Sequence, residues 1–238
     1  MNIKDDLELR KSLAIVSQCP LFNGIDQDDL MHILNCLQVS IKEYSSDDYV
    51  FFAGDTVDSI GVVLKGSVEI VKESFAGTRH IIAILGPSHM FGEGIVCTKK
   101  RNAPVTVHVK NNASIILIPY ERILQKCSNA CIFHQQLIFN MMLLLGEKNY
   151  TLNHKIDLLM IKGIKEKLAS YLLYESARQA SISFEISMNR NQLAEYLNIS
   201  RPSMSRELSF LKEEGIIDYD KNHFSILDWE GLKAYADM

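Results

Sequence analysis

Hydrophobic residues follow two different spacings along this chain. Between about residues 40 and 119, β-branched and other apolar residues come in short runs bounded by glycine, proline or polar residues, which is the pattern of short strands. Residues 1–35 and the chain after Pro119 carry their apolar residues at helical spacing. The pattern therefore predicts a β-rich domain between helical segments.

Six apolar runs in the middle of the chain are predicted to be strands of a small all-β barrel or sandwich. They comprise residues 49–53, 60–64, 67–71, 79–85, 105–109 and 115–118. Glycines such as Gly54, Gly66 and Gly92 are expected at strand ends, where a positive φ is useful. Ahead of the barrel, Asp26 is predicted to cap a helix that begins at Gln27.

A long helix is predicted within residues 131–161. Its apolar residues alternate spacings of four and three, the heptad pattern of a coiled coil. The seam consists of Ile138, Met142, Leu145, Asn149, Leu152, Ile156 and Leu159. A parallel homodimer would bury this strip, and paired Asn149 side chains would fix its register. The alternative is a helix packed on its own domain, because Leu137, Met141 and Leu144 widen the apolar stripe.

Residues 189–215 are predicted to form two short helices joined by a tight turn. Asn189 is a good cap for the first helix, and Gln192 three residues later completes a capping box. Ser200 is a good cap for the second helix, where a proline is tolerated in the first turn. A helix over 164–174, a strand over 182–186 and a hairpin over 216–227 surround this pair, which is the order of a winged helix.

The exposed face of the second predicted helix carries the candidate DNA contacts. Base edges are read from the N-terminal end of a recognition helix, and arginine is favoured there because it pairs with guanine through two hydrogen bonds. The candidates are Ser200, Arg201, Pro202, Ser203, Ser205 and Arg206. The same pattern also fits an ordinary helical hairpin, so the surrounding chain has to decide between the two.

Length, composition and charge narrow the classes of function. With 238 residues the chain is long enough for two domains, and its 47% hydrophobic and 23% charged residues are ordinary for a soluble globular protein. A cytoplasmic location without membrane association is expected, since no run of eighteen apolar residues and no signal peptide is present. Because the net charge is −4, DNA contacts must come from a local basic cluster.

No catalytic or metal-binding motif stands out in the sequence. It contains no Walker-type phosphate loop, no His-Glu-x-x-His and no nucleophile elbow, so no enzymatic activity is predicted. The five cysteines are odd in number and scattered, which argues against a disulfide framework. Cys127 and Cys131 lie four residues apart, but two sulfur ligands are too few for zinc or an iron–sulfur cluster. No metal and no cofactor is therefore predicted.

The order of barrel, long helix and winged helix-turn-helix resembles the family of the cAMP receptor protein and the fumarate–nitrate regulator. Three segments of the barrel and the start of the second predicted helix carry the resemblance. They read Phe52-Ala53-Gly54-Asp55, Leu64-Lys65-Gly66-Ser67-Val68, Phe91-Gly92-Glu93 and Ser200-Arg201-Pro202-Ser203-Met204-Ser205-Arg206. Each segment alone is a weak signal, whereas their order and spacing together are specific and span nearly the whole chain.

The resemblance implies an α+β protein with a cyclic-nucleotide-binding-like β-barrel, a double-stranded β-helix or jelly roll, at its N-terminus. The expected division is an effector-sensing domain in residues 1–125, a dimerisation helix in 126–161 and a winged helix-turn-helix domain in 162–238. It further implies a homodimeric transcription regulator that binds a palindromic operator in double-stranded DNA and, if it is an activator, contacts RNA polymerase.

One departure from the family pattern concerns the effector. Cyclic-nucleotide binders of this family place an Arg-Ser pair before an Ala-Thr-Val strand, and that arginine pairs with the cyclic phosphate. Aligned on Thr106 and Val107, these positions hold Ala103 and Pro104. The alanine side chain carries no charge, and proline has no main-chain N–H to donate. We therefore expect a small-molecule effector other than cAMP. A constitutive DNA-binding protein with a ligand-free barrel and a cyclic-nucleotide-responsive regulator remain the alternatives.

The resemblance also suggests effector contacts at Phe91, Gly92, Glu93 and Asn153. Glu93 would meet ribose hydroxyls in the family, but it could equally accept hydrogen bonds from its own loop. Asn153 falls where the family places polar side chains over a bound ligand, although an exposed helix residue would look the same. The redox-sensing branch needs several cysteines near the N-terminus, where Cys19 stands without companions.

Overall fold

The structure is a computed structural model that describes residues 3–73, 79–125 and 132–236. The chain forms two compact units, Met1–Glu147 and Lys148–Met238. Their boundary falls inside one long helix, Ile132–Met160. The division into three parts at residues 125/126 and 161/162 stays a prediction of the sequence.

The first unit begins with helices and continues as a sheet. Its elements are α1 (Ile3–Val16), a 3-10 helix (Pro20–Phe22), α2 (Gln27–Cys36), β1 (Ser40–Tyr44), β2 (Tyr49–Phe51), β3 (Ser59–Glu73), β4 (Arg79–Leu85), β5 (Met90–Phe91), α3 (Glu93–Val96), β6 (Thr106–Pro119), α4 (Tyr120–Leu124) and the long α5 (Ile132–Met160). Asp26 is the N-cap residue of α2, as predicted, although its side chain makes no capping hydrogen bond.

The strands form an antiparallel sheet in the order β1-β6-β3-β4, with β2 paired to β6 and β5 paired to β3. The predicted strands 60–64 and 67–71 are one strand, β3, and 105–109 and 115–118 are likewise one strand, β6. The prediction of two separate strands in each case was wrong. Gly66 lies inside β3 with φ +77, where a Cβ would collide with the main-chain oxygen of Asn112. The glycine therefore marks an irregularity in a continuous strand and not its end.

Two hydrophobic clusters fill the first unit. In one, the sheet packs with the N-terminal helices through buried residues that include Leu30, Ile33, Leu34, Ile60, Val62 and Ile116. In the other, the sheet buries Val63, Val68, Val107, Val109 and Ile115. Val62 and Val63 fall in different clusters because neighbouring residues of a strand point to opposite faces.

The second unit contains the end of α5 and a winged helix. Its elements are α6 (Ile164–Arg178), β7 (Ser183–Glu185), α7 (Arg190–Leu197), α8 (Arg201–Glu213), β8 (Ile217–Asp220), β9 (His223–Ile226) and α9 (Trp229–Ala236). The three strands pair antiparallel in the order β7-β9-β8. This order confirms the predicted winged helix-turn-helix and the α+β class, while α9 was not predicted. No helix in the part of the chain that the structure describes is long and apolar enough to cross a membrane.

Candidate functional site

The helix-turn-helix has the caps that its sequence predicts. The Asn189 side-chain oxygen accepts from the main-chain N–H groups of Asn191 and Gln192, both at 3.0 Å. The Gln192 side-chain oxygen in turn accepts from the Asn189 N–H at 2.9 Å, which completes the capping box. At the start of α8, Ser200 Oγ accepts from the Ser203 N–H at 3.2 Å. Polar side chains thus satisfy otherwise unpaired N–H groups at the start of both helices.

The two faces of α8 have opposite character. Met204, Leu208 and Leu211 are fully buried in the core of the second unit, as the apolar spacing predicts. The predicted DNA contacts lie on the other side, where Ser200, Arg201, Pro202, Ser205 and Arg206 are exposed and Ser203 is half-buried. The structure therefore brings all six candidates together at the N-terminal end of one exposed helix face. Two guanidinium groups on this face give the local positive charge that an acidic chain needs to bind DNA.

Arg190 makes a contact that the sequence patterns do not predict. It is the first residue of α7, and its guanidinium carbon lies 4.8 Å from the ring centroid of Tyr219 on β8 and 4.7 Å from that of Phe224 on β9. Burial lowers the pKa of Arg190, and neither Nη atom has a hydrogen-bond partner among the described residues. Cation–π attraction thus joins α7 to the β8–β9 hairpin. No local spacing in the sequence reveals this contact, since the rings come about thirty residues later.

Lys212 near the end of α8 binds residues of β8 and does not contribute its charge to the exposed face of the helix. Its ammonium lies 2.5 Å from Asp218 Oδ1 and donates to the main-chain oxygen of Tyr219 at 3.4 Å. The pair raises the pKa of Lys212 and lowers that of Asp218, in both cases chiefly through their mutual hydrogen bond. Its charge is therefore largely balanced within the domain, which leaves Arg201 and Arg206 as the main cations of the candidate interface.

Three of the predicted effector contacts, Phe91, Gly92 and Glu93, surround the start of α3 in the first unit. Gly92 is the N-cap of α3 with φ +86, and Glu93 in the first turn is only 5% exposed. The Phe91 ring covers Gly61 of β3 so closely that a Cβ at Gly61 would collide with it. Phe91 also lines a small pocket of about 140 Å³, together with residues that include Val50, Phe51, Val57, Ser59 and Leu117.

Of the two positions that anchor phosphate in cyclic-nucleotide binders, Ala103 is buried and engaged in main-chain hydrogen bonds, whereas Pro104 is exposed. Ala103 is 4% exposed, its N–H donates to Asp55 O at 2.8 Å, and its own oxygen accepts from the Gly54 N–H at 2.8 Å. Arg101, the nearest candidate replacement, is held by two carboxylates, Asp58 at 3.3 Å and Glu121 at 3.4 Å. Its charge is thus committed to these ion pairs and not to a phosphate site.

The residues of the predicted dimer seam on α5 differ in exposure. Ile138 and Leu145 are half-buried and pack against the core of the first unit, where Leu137 and Met141 are buried. The others expose large apolar or polar side chains: Met142 is 68% exposed, Leu152 60%, Ile156 54% and Leu159 42%, and Asn149 is exposed too. Asn153, the predicted effector contact on this helix, donates to Asn149 Oδ1 at 2.8 Å. Ile138 and Leu145 thus pack on their own domain, and the remaining seam residues, apolar except for Asn149, form the exposed strip of the helix.

The cysteines within the described residues do not form a metal site. Burial raises the pKa of the Cys19 thiol to about 11, and the Glu93 carboxylate adds to this rise. Cys19 is therefore a neutral, buried side chain at physiological pH, whereas Cys36 is half-buried and Cys97 exposed. Cys127 and Cys131 lie outside the described residues. Among the side chains that the structure describes, no three histidine, cysteine or carboxylate groups are placed to hold a metal ion.

Both halves of the chain match known protein families. Residues 41–130 match the cyclic nucleotide-binding domain, and residues 166–235 match the Crp-like helix-turn-helix domain. The second match contains α7 and α8 and thus all six candidate DNA contacts. The chain belongs to the family of the cAMP receptor protein and the fumarate–nitrate regulator.

Similar proteins agree with this assignment. The chain is 26% identical over 192 residues to the transcriptional activator protein FnrA of Stutzerimonas stutzeri, covering 79% of this chain and 76% of the relative. It is 25% identical over 199 residues to the cyclic AMP receptor protein of Thermus thermophilus, covering 83% and 88%. The fold is similar to that of the Thermus thermophilus catabolite activator protein, with a TM-score of 0.52 and 22% identity over 92% of this chain and 98% of that chain. The protein is thus a transcription regulator with an effector-binding domain and a DNA-binding helix-turn-helix.

Proposed function

We propose that this protein is a cytoplasmic, homodimeric transcription regulator that binds a palindromic operator and is gated by a small molecule other than cAMP. The observation that carries the proposal is the exposed N-terminal face of α8, where Arg201 and Arg206 stand free of the domain core. In the proposed complex this face enters the major groove, and at least one of the two arginines reads a guanine.

The dimer would place two recognition helices at the spacing of the operator. The exposed part of the seam, Met142, Asn149, Leu152, Ile156 and Leu159, supports pairing of two α5 helices. Both half-sites can then be read together if the recognition helices lie about 34 Å apart, one turn of DNA. An effector bound in the barrel would favour one arrangement of the two helices, and a change in DNA affinity of roughly fivefold to 150-fold is typical of such coupling. An activator of this kind would also contact RNA polymerase.

Substitution of Arg206 tests the DNA-binding part of the proposal. Arg206→Ala should cost about 1–3 kcal/mol of binding free energy and relax the preference at one base position. Lys233→Ala is a matched control, because it removes one positive charge from the exposed side of α9. Affinities for the operator and for copies with each guanine replaced separate the two variants. An Arg206→Ala protein with unchanged affinity and unchanged base preference would contradict the proposed role.

The second candidate function is a constitutive DNA-binding regulator whose barrel holds no ligand. The pocket beside Phe91 supports this candidate, because about 140 Å³ is below the roughly 300–1,000 Å³ of ordinary small-molecule sites. Mass spectrometry of the intact protein under native conditions distinguishes the two functions. A bound small molecule whose removal changes operator affinity supports gating, while a ligand-free protein that binds its operator fully supports the constitutive function.

A further inference from the structure

Ser200, Ser203 and Arg206 form a chain of hydrogen bonds along the first turns of α8. Ser200 Oγ donates to Ser203 Oγ at 2.7 Å, and Arg206 Nη2 donates to the same Ser203 oxygen at 3.2 Å. Ser200 Oγ itself accepts from the Ser203 N–H at 3.2 Å, so the capping bond fixes the first hydroxyl of the chain. The three residues are spaced by three, which places them next to one another on the helix surface.

We propose that Ser203 is a positioning residue that holds the Arg206 guanidinium in the orientation in which it reads a base. This inference rests on the proposed function, in which Arg206 contacts guanine. A long arginine side chain on an exposed helix face loses much rotamer freedom when it binds, and a side chain held in place beforehand loses less. Pairing with guanine needs two parallel N–H donors in a fixed plane, so the orientation of the guanidinium determines whether both bonds form.

The bond to Ser203 leaves enough of the guanidinium free for this task. Arginine has five N–H donors, and the bond to Ser203 uses one of those on Nη2. The others remain available for the two acceptors of a guanine edge. Ser203 Oγ, in contrast, accepts from both Ser200 and Arg206 and thereby uses both of its lone pairs. Its role toward Arg206 therefore competes with reading an amino group of a base.

Ser205 provides a matched comparison on the same helix. It is exposed, and its hydroxyl makes no hydrogen bond within the part of the chain that the structure describes. Ser205→Ala thus deletes the same hydroxyl as Ser203→Ala without touching Arg206. Ser203→Ala keeps the main-chain N–H that donates to Ser200, so the helix cap survives the substitution. Ser203→Thr keeps the hydroxyl and should restore the contact.

A double-mutant cycle on the full-length protein tests the proposal. Fluorescence anisotropy would measure the affinity for operator DNA, and for the same DNA with guanine replaced by adenine, with wild type, Ser203→Ala, Arg206→Ala and the double variant. Ser203→Ala should weaken operator binding about 3- to 10-fold and reduce the preference for guanine. In the Arg206→Ala background the same substitution should change the affinity less than about twofold, and Ser203→Thr should bind within about twofold of wild type.

The outcomes separate this inference from the proposed function. Suppose that Ser203→Ala weakens binding equally with and without Arg206, or that Ser205→Ala couples to Arg206 as strongly. Ser203 then does not position the arginine, while the base-reading role of Arg206 still stands. If Arg206→Ala leaves both affinity and guanine preference unchanged, the base-reading role of Arg206 fails, and the positioning role fails with it. Circular dichroism of each variant before the titration establishes that the helices remain folded.

Discussion

The ammonium of Lys167 donates to the main-chain oxygen of Leu197 at 3.2 Å, although Lys167 is only 5% exposed. Lys167 belongs to α6, and Leu197 is the last residue of α7. The carbonyl groups at a helix C-terminus carry partial negative charge and lack partners within the helix, which suits a lysine. The contact therefore fixes the turn that precedes α8.

Replacing Lys167 should loosen this turn. We expect Lys167→Ala to lower the free energy of unfolding of the second unit by about 1–3 kcal/mol, because a buried carbonyl loses its donor. Trp229 is the one tryptophan of the sequence and belongs to α9 of this unit, so its fluorescence follows unfolding in urea. Lys167→Met keeps an apolar stem of similar length and should lose less. Equal urea midpoints for wild type and Lys167→Ala would show that the bond contributes nothing.

Glu69 on β3 should make the first unit sensitive to acid. Its carboxylate is buried and lies 3.1 Å from the Lys110 ammonium and 3.4 Å from His108 Nδ1. The hydrogen bond from Lys110 lowers the pKa of Glu69 from its ordinary value of 4.5, against the opposing effect of burial. Because the pKa is lower in the folded state, the stabilisation is complete above pH 4.5 and is lost as the pH falls through the folded-state value.

The test compares Glu69→Gln with wild type across this pH range. At neutral pH the variant should unfold more easily by about 1–2 kcal/mol, and the difference should shrink as the pH falls below 4.5. Glu43→Gln, an exposed carboxylate on β1, is the control and should match wild type throughout. A Glu69→Gln difference that is constant from neutral to acid pH would rule out this ionic contribution. Circular dichroism of the strands reports the transition.

The barrel should not bind cyclic nucleotides. A cyclic phosphate loses its hydration on entering the site, and Ala103 and Pro104 offer no positive charge to compensate for that loss. Isothermal titration calorimetry with cAMP and cGMP should therefore give no binding at micromolar concentration. Heat that fits a dissociation constant in the micromolar range or below, for either nucleotide, would overturn this expectation.

The exposed strip on α5 should be the dimer interface. Leu152 is 60% exposed in the single chain, so Leu152→Glu leaves the monomer fold intact while placing a charge without a partner in the proposed seam. Leu145 is less suitable, because it also packs against the core of the first unit. Light scattering should give a monomer for Leu152→Glu, and operator binding should be lost because one half-site cannot outcompete non-specific DNA.

Thr151→Glu is the control for the dimer. Thr151 is exposed on the same helix but lies outside the heptad core positions, so this variant should remain dimeric. If Leu152→Glu is dimeric and binds its operator normally, the strip is not the interface.

Local features of the fold were predictable from the sequence, and contacts between distant segments were not. The capping box joins Asn189 to Gln192 three residues later, and the buried stripe of α8 repeats every three or four residues, so both can be read directly. The bond from Lys167 to Leu197 spans thirty residues, and no spacing rule predicts it. The predicted strand end at Gly66 was wrong because a glycine at a strand end and one at an irregularity within a strand look alike in sequence.

The candidate DNA contacts were predicted because one helix carries them all, whereas an effector pocket is assembled from many segments. The pocket beside Phe91 is lined by residues of β2, of β5 and of β6, together with the start of β3 and the residues that precede it. Its small volume follows from how these segments pack. The sequence could indicate which phosphate anchor is missing at Ala103 and Pro104. It could not indicate which small molecule would fit the pocket beside Phe91.

Selection of binding sites from a random DNA pool is the direct test of operator recognition by a homodimer through α8. The full-length protein would be incubated with the pool at low salt, where phosphate contacts are strongest, and bound DNA would be sequenced after several rounds. We expect enrichment of a two-fold symmetric motif whose half-sites lie about one helical turn apart, roughly 10–10.5 base pairs, with a guanine in each half-site. A pool that yields no enriched sequence, or a motif without two-fold symmetry, would contradict a homodimeric regulator that reads DNA through α8.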